Sequence, residues 1–257
     1  MLGIYGDSFA DVGNIFNKNR PIGEFPWPVT LSKLLNVPAE YHARSTTSSW
    51  WSYEKFLSSY KKYNTIVFTY GQHNRWPSID LSYGEGQLSH ITRPDQLEQF
   101  SNNSEMLKIA TVLVECKKIT YSESHDIFVY QSIFNSVNSI CRKNNIKLIN
   151  FMPFEMPSWN PELYIDISDR HGPCITNASD VVSREVAYCS DELHMRLQKI
   201  LNSGDPRHCH MNNTNNSVLA QMIVESMNDK ELIVSLSADS RTSCDYKELE
   251  WMLQNEI

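Results

Sequence analysis

The run Thr65-Ile66-Val67-Phe68-Thr69-Tyr70, stopped by Gly71, is nearly continuous in apolar and β-favouring residues instead of alternating with charged ones. A strand with one face in water shows period-two alternation. A continuous run suits a strand covered on both faces, the situation of a parallel sheet flanked by helices. Leu2 to Tyr5 and Lys147-Leu148-Ile149-Asn150-Phe151 read the same way, and a further strand is expected over 37–43. Helical stripes lie between them: Val29, Leu31, Leu34 and Leu35 in 29–36, Trp51, Phe56 and Leu57 in 50–62, then a helix over 104–116. In 126–143, Ile127, Tyr130, Phe134, Val137 and Cys141 recur at intervals of three and four. Helices are also expected over 184–201, 214–227 and 245–254. Strands alternating with helices predict an α/β fold, a three-layer α/β/α sandwich on a parallel sheet of about five strands. The 257 residues suit one domain over 1–227, with loop insertions at 71–102 and 152–180 and a C-terminal extension, 228–257, packed on it. Both insertions fall at the carboxyl ends of strands, where such sheets bind ligands.

Charge and composition narrow the function. With 23 Lys and Arg against 30 Asp and Glu the net charge is −7, so no broad positive field gathers phosphates and a nucleic-acid partner is not expected. No apolar run approaches 18 residues, so no membrane span is expected. The six cysteines show no repeated CxxC spacing and are too sparse for a disulfide-built fold. Met1 to Tyr5 carry no basic segment or cleavage site, which predicts synthesis in a cytoplasm.

The chemistry concentrates at the two ends of the chain. Gly6-Asp7-Ser8 closes the first strand. A serine at a strand-to-helix turn presents its hydroxyl above the sheet edge while nearby backbone N–H groups face the same space, which supplies a nucleophile and part of an oxyanion site. Far downstream, Asp205-Pro206-Arg207-His208-Cys209-His210 leads through Met211-Asn212-Asn213 into the expected helix. An acid and a histidine there supply the remaining parts of a serine triad. Asp205, His208, Cys209 and His210 are also zinc-ligand types, but adjacent ligands in so short a loop need a distant partner such as His194 or Cys174 to complete a tetrahedron.

The stretch Gly6-Asp7-Ser8-Phe9-Ala10-Asp11-Val12-Gly13-Asn14 resembles the nucleophile block of the SGNH, or GDSL-type, hydrolases, Gly-Asp-Ser-x-x-Asp after an N-terminal strand. The resemblance extends to about residue 227 and implies the flavodoxin-like SGNH fold and a serine esterase acting on short-chain esters. Aligning His210 with the family histidine puts Asn212, Asn215, Asn216 and Leu219-Ala220 on matching downstream positions. The family spacing Asp-x-x-His then finds Arg207 where the acid belongs. Either a loop two residues longer joins Asp205 to His210, or the dyad is Asp205–His208. The middle blocks depart further. Thr46 of Tyr41-His42-Ala43-Arg44-Ser45-Thr46 takes the place of the family's oxyanion glycine. In Gly71-Gln72-His73-Asn74 either His73 or, with a one-residue shift, Asn74 replaces the oxyanion asparagine.

The resemblance thus implies catalytic Ser8, Asp205 and His210, oxyanion groups Thr46 with Asn74 or His73, and neither cofactor nor metal. For Thr46 to serve without steric penalty, a negative φ is expected. The substrate class implied is an acylated small molecule or polysaccharide, with O-acetyl groups on carbohydrate favoured. Trp27, Trp50, Trp51, Trp76 and Trp159 are candidate platforms for sugar rings. The segments Tyr41 to Trp51 and Ile66 to Arg75 are similar to SGNH-like proteins of bacterial viruses, which leaves virion association, homo-oligomerisation and a non-catalytic glycan-binding role open. An O-acyltransferase would use the same acyl-enzyme.

Overall fold

The computed structural model describes residues 1–13, 26–71, 75–76, 91, 94–120, 122–153, 165–166, 213–228 and 230–237. Its elements are β1 (Leu2–Gly6), α1 (Trp27–Leu35), β2 (Ala39–Ala43), α2 (Ser49–Ser59), β3 (Thr65–Thr69), α3 (Ser104–Thr120), α4 (Glu123–Lys143), β4 (Lys147–Met152), β5 (Ile165–Asp166), α5 (Asn213–Met227) and β6 (Ile233–Ser237). Short 3₁₀ turns occupy Tyr60–Lys62 and Pro94–Phe100. The strands form one six-stranded sheet in the order β2-β1-β3-β4-β6-β5. β1 pairs in parallel with β2 and with β3, and β5 with β6. The protein is therefore of the α/β class. None of the helices among the described residues is long and apolar enough to cross a membrane.

Two strands escape the sequence pattern. No strand is expected in the 228–257 extension, yet Ile233–Ser237 forms β6, with Val234 and Leu236 buried at period two. Ile165–Asp166, inside the insertion expected over 152–180, pairs with Leu236 and Ser237. The helices expected over 184–201 and 245–254 lie outside the described residues.

The chain divides into two compact units. The first comprises Met1–Asp11, Ala39–Asn150 and Glu231–Val234. Every residue of β1 is buried, as a strand between two parallel neighbours requires. Beside it an aromatic cluster forms, with Tyr5 stacked near Phe68 and edge-on to Phe56 of α2. Tyr70 continues the cluster to Tyr130 and Phe134 of α4. The tips of Tyr5 and Tyr70 are matched: Tyr5 pairs with Ser59, and the Tyr70 hydroxyl donates to Asn150, whose amide donates to Asn138. The helices start where capping residues stand, Ser48 accepting the Trp51 N–H and Ser122 accepting the His125 N–H.

The second unit comprises Val12–Pro38, Phe151–Lys230 and Ser235–Ile257. In it α1 packs on α5. Pro28 in its first turn suits α1 to start there, and Asn36 ends it in the left-handed conformation at φ 51°. The Trp27 N–H donates to Asn216 Oδ1 at 2.9 Å and its ring meets Phe151 edge-on. Asn216, a position the family alignment singles out, is thus committed to helix packing.

In the first unit a titratable cluster links β2 to Tyr63, just ahead of β3. The Tyr63 hydroxyl donates to Glu40 at 2.6 Å, so His42 Nε2, 2.6 Å from the same hydroxyl, is the donor of that second bond. The Tyr5 ring stacks on His42 at 4.8 Å. Burial lowers the His42 pKa from its ordinary value, with Glu40 opposing and Lys62 and Lys55 reinforcing the shift. Between the lowered folded value and an unfolded value of about 6.5 the unfolded chain binds more protons, so His42 contributes stability above that window that is lost as pH falls through it. Urea midpoints of the wild type and His42→Gln should diverge more at pH 7 than at pH 5. A gap independent of pH would contradict the assignment.

Candidate active site

Parallel pairing brings three loops to one sheet edge within the first unit. Gly6 sits opposite Ala43 and Tyr5 opposite Phe68, so the Asp7-Ser8 turn emerges between the loops that follow β2 and β3. Gly6 is required by close approach: a Cβ there would stand 2.7 Å from the Thr69 Cβ. Ser8 is 7% exposed, in the turn after β1.

The backbone donors of this edge are nearly all committed. Phe9 N–H donates to Asp7 Oδ1 and Ala10 N–H to the Asp7 carbonyl. In the adjoining turn, Arg44 N–H donates to the Gly6 carbonyl, Ser45 N–H to Asp11 Oδ2 at 2.7 Å, and Thr47 N–H to the Arg44 carbonyl. Among the described residues the N–H groups of Ser8 and Thr46 have no acceptor, and the Ser8 hydroxyl has no hydrogen-bond partner. Among the described residues, the Thr46 N–H that the resemblance nominates for the oxyanion and the N–H of Ser8 itself are thus both uncommitted.

Thr46 does not have the expected negative φ; its φ is 64°. The bond from Thr47 N–H to the Arg44 carbonyl closes a four-residue turn, and Ser45 is not among the positive-φ residues. Positive φ confined to the third position defines a type II turn, which ordinarily takes glycine there. Thr46 therefore copies the backbone of the glycine it replaces, against the resistance of its branched Cβ. Its hydroxyl donates to the Ser45 carbonyl at 2.6 Å. Left-handed geometry costs a non-glycine residue roughly 1–2 kcal/mol, while glycine loses roughly 0.5–1 kcal/mol through its freer unfolded chain. Thr46→Gly should accordingly raise unfolding stability by up to about 1 kcal/mol, where a Thr→Gly change at an unstrained position lowers it. A urea midpoint that falls for Thr46→Gly would show that the turn carries no strain.

Arg75 and Asp7 went unassigned in the sequence reading beyond the motif. Arg75 Nη1 donates to Asp7 Oδ2 at 2.9 Å and to the Thr47 carbonyl at 2.7 Å. Their side chains are 8% and 1% exposed. Gly71 leaves room for this pair, since a Cβ there would stand 3.0 Å from Asp7 Oδ2. An arginine following Gly71-Gln72-His73-Asn74 was the available signal, but its partner 68 positions away was not legible.

Asp205, His208, His210, His73 and Asn74 lie outside the described residues, as do His194, Cys174 and Cys209 of the zinc alternative and Trp159. The structure changes the reading of the other tryptophans. Trp27 is buried, with no face left for a sugar. Trp76 donates its N–H to the Ile91 carbonyl and carries the Lys117 ammonium 5.3 Å from its ring centre. The Trp51 ring has Lys55 at 5.3 Å, while Trp50 remains exposed, its N–H on Glu54. Compared with protein-family models and with curated proteins, the chain matches none.

Proposed function

We propose that the protein is a serine esterase of the SGNH type, with a three-layer α/β/α domain, hydrolysing short-chain and above all acetyl esters. The observation that carries the reading is the pattern of uncommitted groups: among the described residues the Ser8 hydroxyl and the N–H groups of Ser8 and Thr46 have no partner, where each neighbouring amide of the two turns from Phe9 to Thr47 named above has one. Buried or half-buried donors are normally satisfied, so donors left open at a strand edge suit a ligand oxygen.

In the mechanism Ser8 attacks the ester carbonyl as His210 takes its proton, and Asp205 holds the imidazole tautomer and stabilises its protonated form. The Ser8 and Thr46 N–H groups, with Asn74 or His73, receive the developing oxyanion. His210 returns the proton to the leaving alcohol, and water then attacks the acyl-enzyme with His210 again as base. O-acetyl groups on carbohydrate are the proposed natural substrates, with Trp50, exposed among the described residues, as a stacking surface.

The test is covalent labelling by a fluorophosphonate, followed by acetate release from acetylated polysaccharide. Labelling at Ser8, lost in Ser8→Ala, with turnover untouched by chelator, is the expected result. Absence of labelling in the wild type would sink the esterase and favour a glycan-binding relative. Chelator-sensitive turnover restored by zinc would favour the metal-site alternative, and acyl transfer to an added sugar in preference to water would make the protein a transferase.

A further inference from the structure

The type II turn at Arg44–Thr47 has a specific weakness. Types I and II differ by a flip of the central peptide, here the one joining Ser45 to Thr46, which reverses the directions of the Ser45 carbonyl and the Thr46 N–H. In the type I form the third residue has negative φ, which a threonine prefers. Left to its own preferences, this turn would flip and put a carbonyl oxygen where the N–H now stands. A strained residue of this kind persists only when its surroundings over-determine it.

The surroundings here are the two carboxylates of the nucleophile turn. Asp11 Oδ2 holds the Ser45 N–H at 2.7 Å, immediately before the strained residue. After it, the Thr47 carbonyl accepts Arg75 Nη1 at 2.7 Å, and that guanidinium is fixed in turn by Asp7 Oδ2 at 2.9 Å. The Arg44 N–H bond to the Gly6 carbonyl and the Thr47 N–H bond to the Arg44 carbonyl tie the turn's two ends to β1 and to each other. Among the described residues Thr46 is the one of the four whose backbone amide has no acceptor, so the misfit collects there. The other oxygen of Asp7 holds the Phe9 N–H, next to Ser8. One buried ion pair therefore links the nucleophile's turn to the turn that carries the second uncommitted N–H.

We propose that Arg75 is a positioning residue: through Asp7 and the Thr47 carbonyl it keeps the Ser45–Thr46 peptide in its strained orientation, so that the Thr46 N–H stays in place as an oxyanion donor. The donor role rests on the esterase reading; the clamp on the peptide does not. Arg75 touches neither substrate nor reacting atoms in this role. Both bonds leave one nitrogen, Nη1, whose two N–H groups are fixed in the guanidinium plane; lysine preserves the charge facing Asp7, but its ammonium donors rotate freely and fix no such angle.

The experiment compares wild type, Arg75→Lys and Arg75→Met, each as the full chain and each first shown folded by circular dichroism. One readout is the Thr46 backbone by NMR: a strong Ser45 Hα to Thr46 H^N nuclear Overhauser effect marks the type II form, and its replacement by a strong H^N to H^N effect marks the flip. The other is the steady-state hydrolysis of p-nitrophenyl acetate. The expected result is a flipped turn in Arg75→Met with kcat down about 10²–10³-fold, the cost of losing one oxyanion donor, and KM within about twofold. Arg75→Lys should fall between, and millimolar methylguanidine should restore part of the Arg75→Met rate. A turn that keeps its type II signature in folded Arg75→Met overturns the clamp, whatever the activity. A flipped turn with kcat within twofold of wild type overturns the donor role. If the wild type neither labels with fluorophosphonate nor turns over, the esterase reading fails by itself, and the NMR signature still decides the clamp. Should Arg75→Met not fold, the Arg75→Lys spectrum decides it: a wholly unshifted signature counts against the clamp, a partial flip for it.

Discussion

Ser8→Ala should lower kcat for p-nitrophenyl acetate by about 10⁴–10⁶-fold, a loss of roughly 5–8 kcal/mol of transition-state stabilisation. The size follows from covalent catalysis: without the hydroxyl there is no acyl-enzyme, and what remains is the weak acceleration from binding and oxyanion contacts. The same assay decides between the two histidines. His210→Ala should match Ser8→Ala within about tenfold, because nucleophile and base act as a unit and their losses do not add. His208→Ala should stay within a few-fold of wild type. The reverse ranking would move the dyad to Asp205–His208 and leave the enzyme class intact. A Ser8→Ala protein hydrolysing the ester as fast as wild type would remove Ser8 from the chemistry altogether.

Asp7→Ala should cost about 3–5 kcal/mol of folding stability, because it strands the Arg75 guanidinium, 8% exposed, without its carboxylate. It also removes the acceptor of the Phe9 N–H, which then has to be satisfied by water or left unpaired. Asp7→Asn keeps an oxygen for that amide but not the charge, so its loss should be smaller. The measurement is a urea midpoint shift at unchanged slope, which reports stability and not a change in the surface exposed on unfolding. A loss under about 1 kcal/mol for Asp7→Ala would mean that the pair is incidental to the fold. Replacing both partners by apolar residues of similar volume should recover part of the stability, since the large penalty belongs to the orphaned charge.

Much of the first unit was readable because periodicity is a local property. The buried run at β3 and the stripe of α4, with Tyr130, Val137 and Cys141 buried, need only near neighbours in sequence to declare themselves; of the stripe expected on α2 only Phe56 is buried, and Leu57 is 45% exposed. The position of Ser8 at the end of β1 followed from the same reasoning, since an apolar run broken by Gly-Asp-Ser has to turn there. β6 was not readable: Ile-Val-Ser-Leu-Ser is short and half polar, and only its seat between β4 and β5 makes a strand of it.

At the site the sequence by itself determined which residue types stand after each strand, and the resemblance told which of them to watch. What it could not determine was their partnership. Asp11 with Ser45 and Asp7 with Arg75 are separated by 34 and 68 positions, and they meet only because parallel register sets three loops side by side. The sign of φ at Thr46 belongs to the same category. Local preference favours a negative angle for a β-branched residue, and the tertiary anchors on either side of it impose 64°.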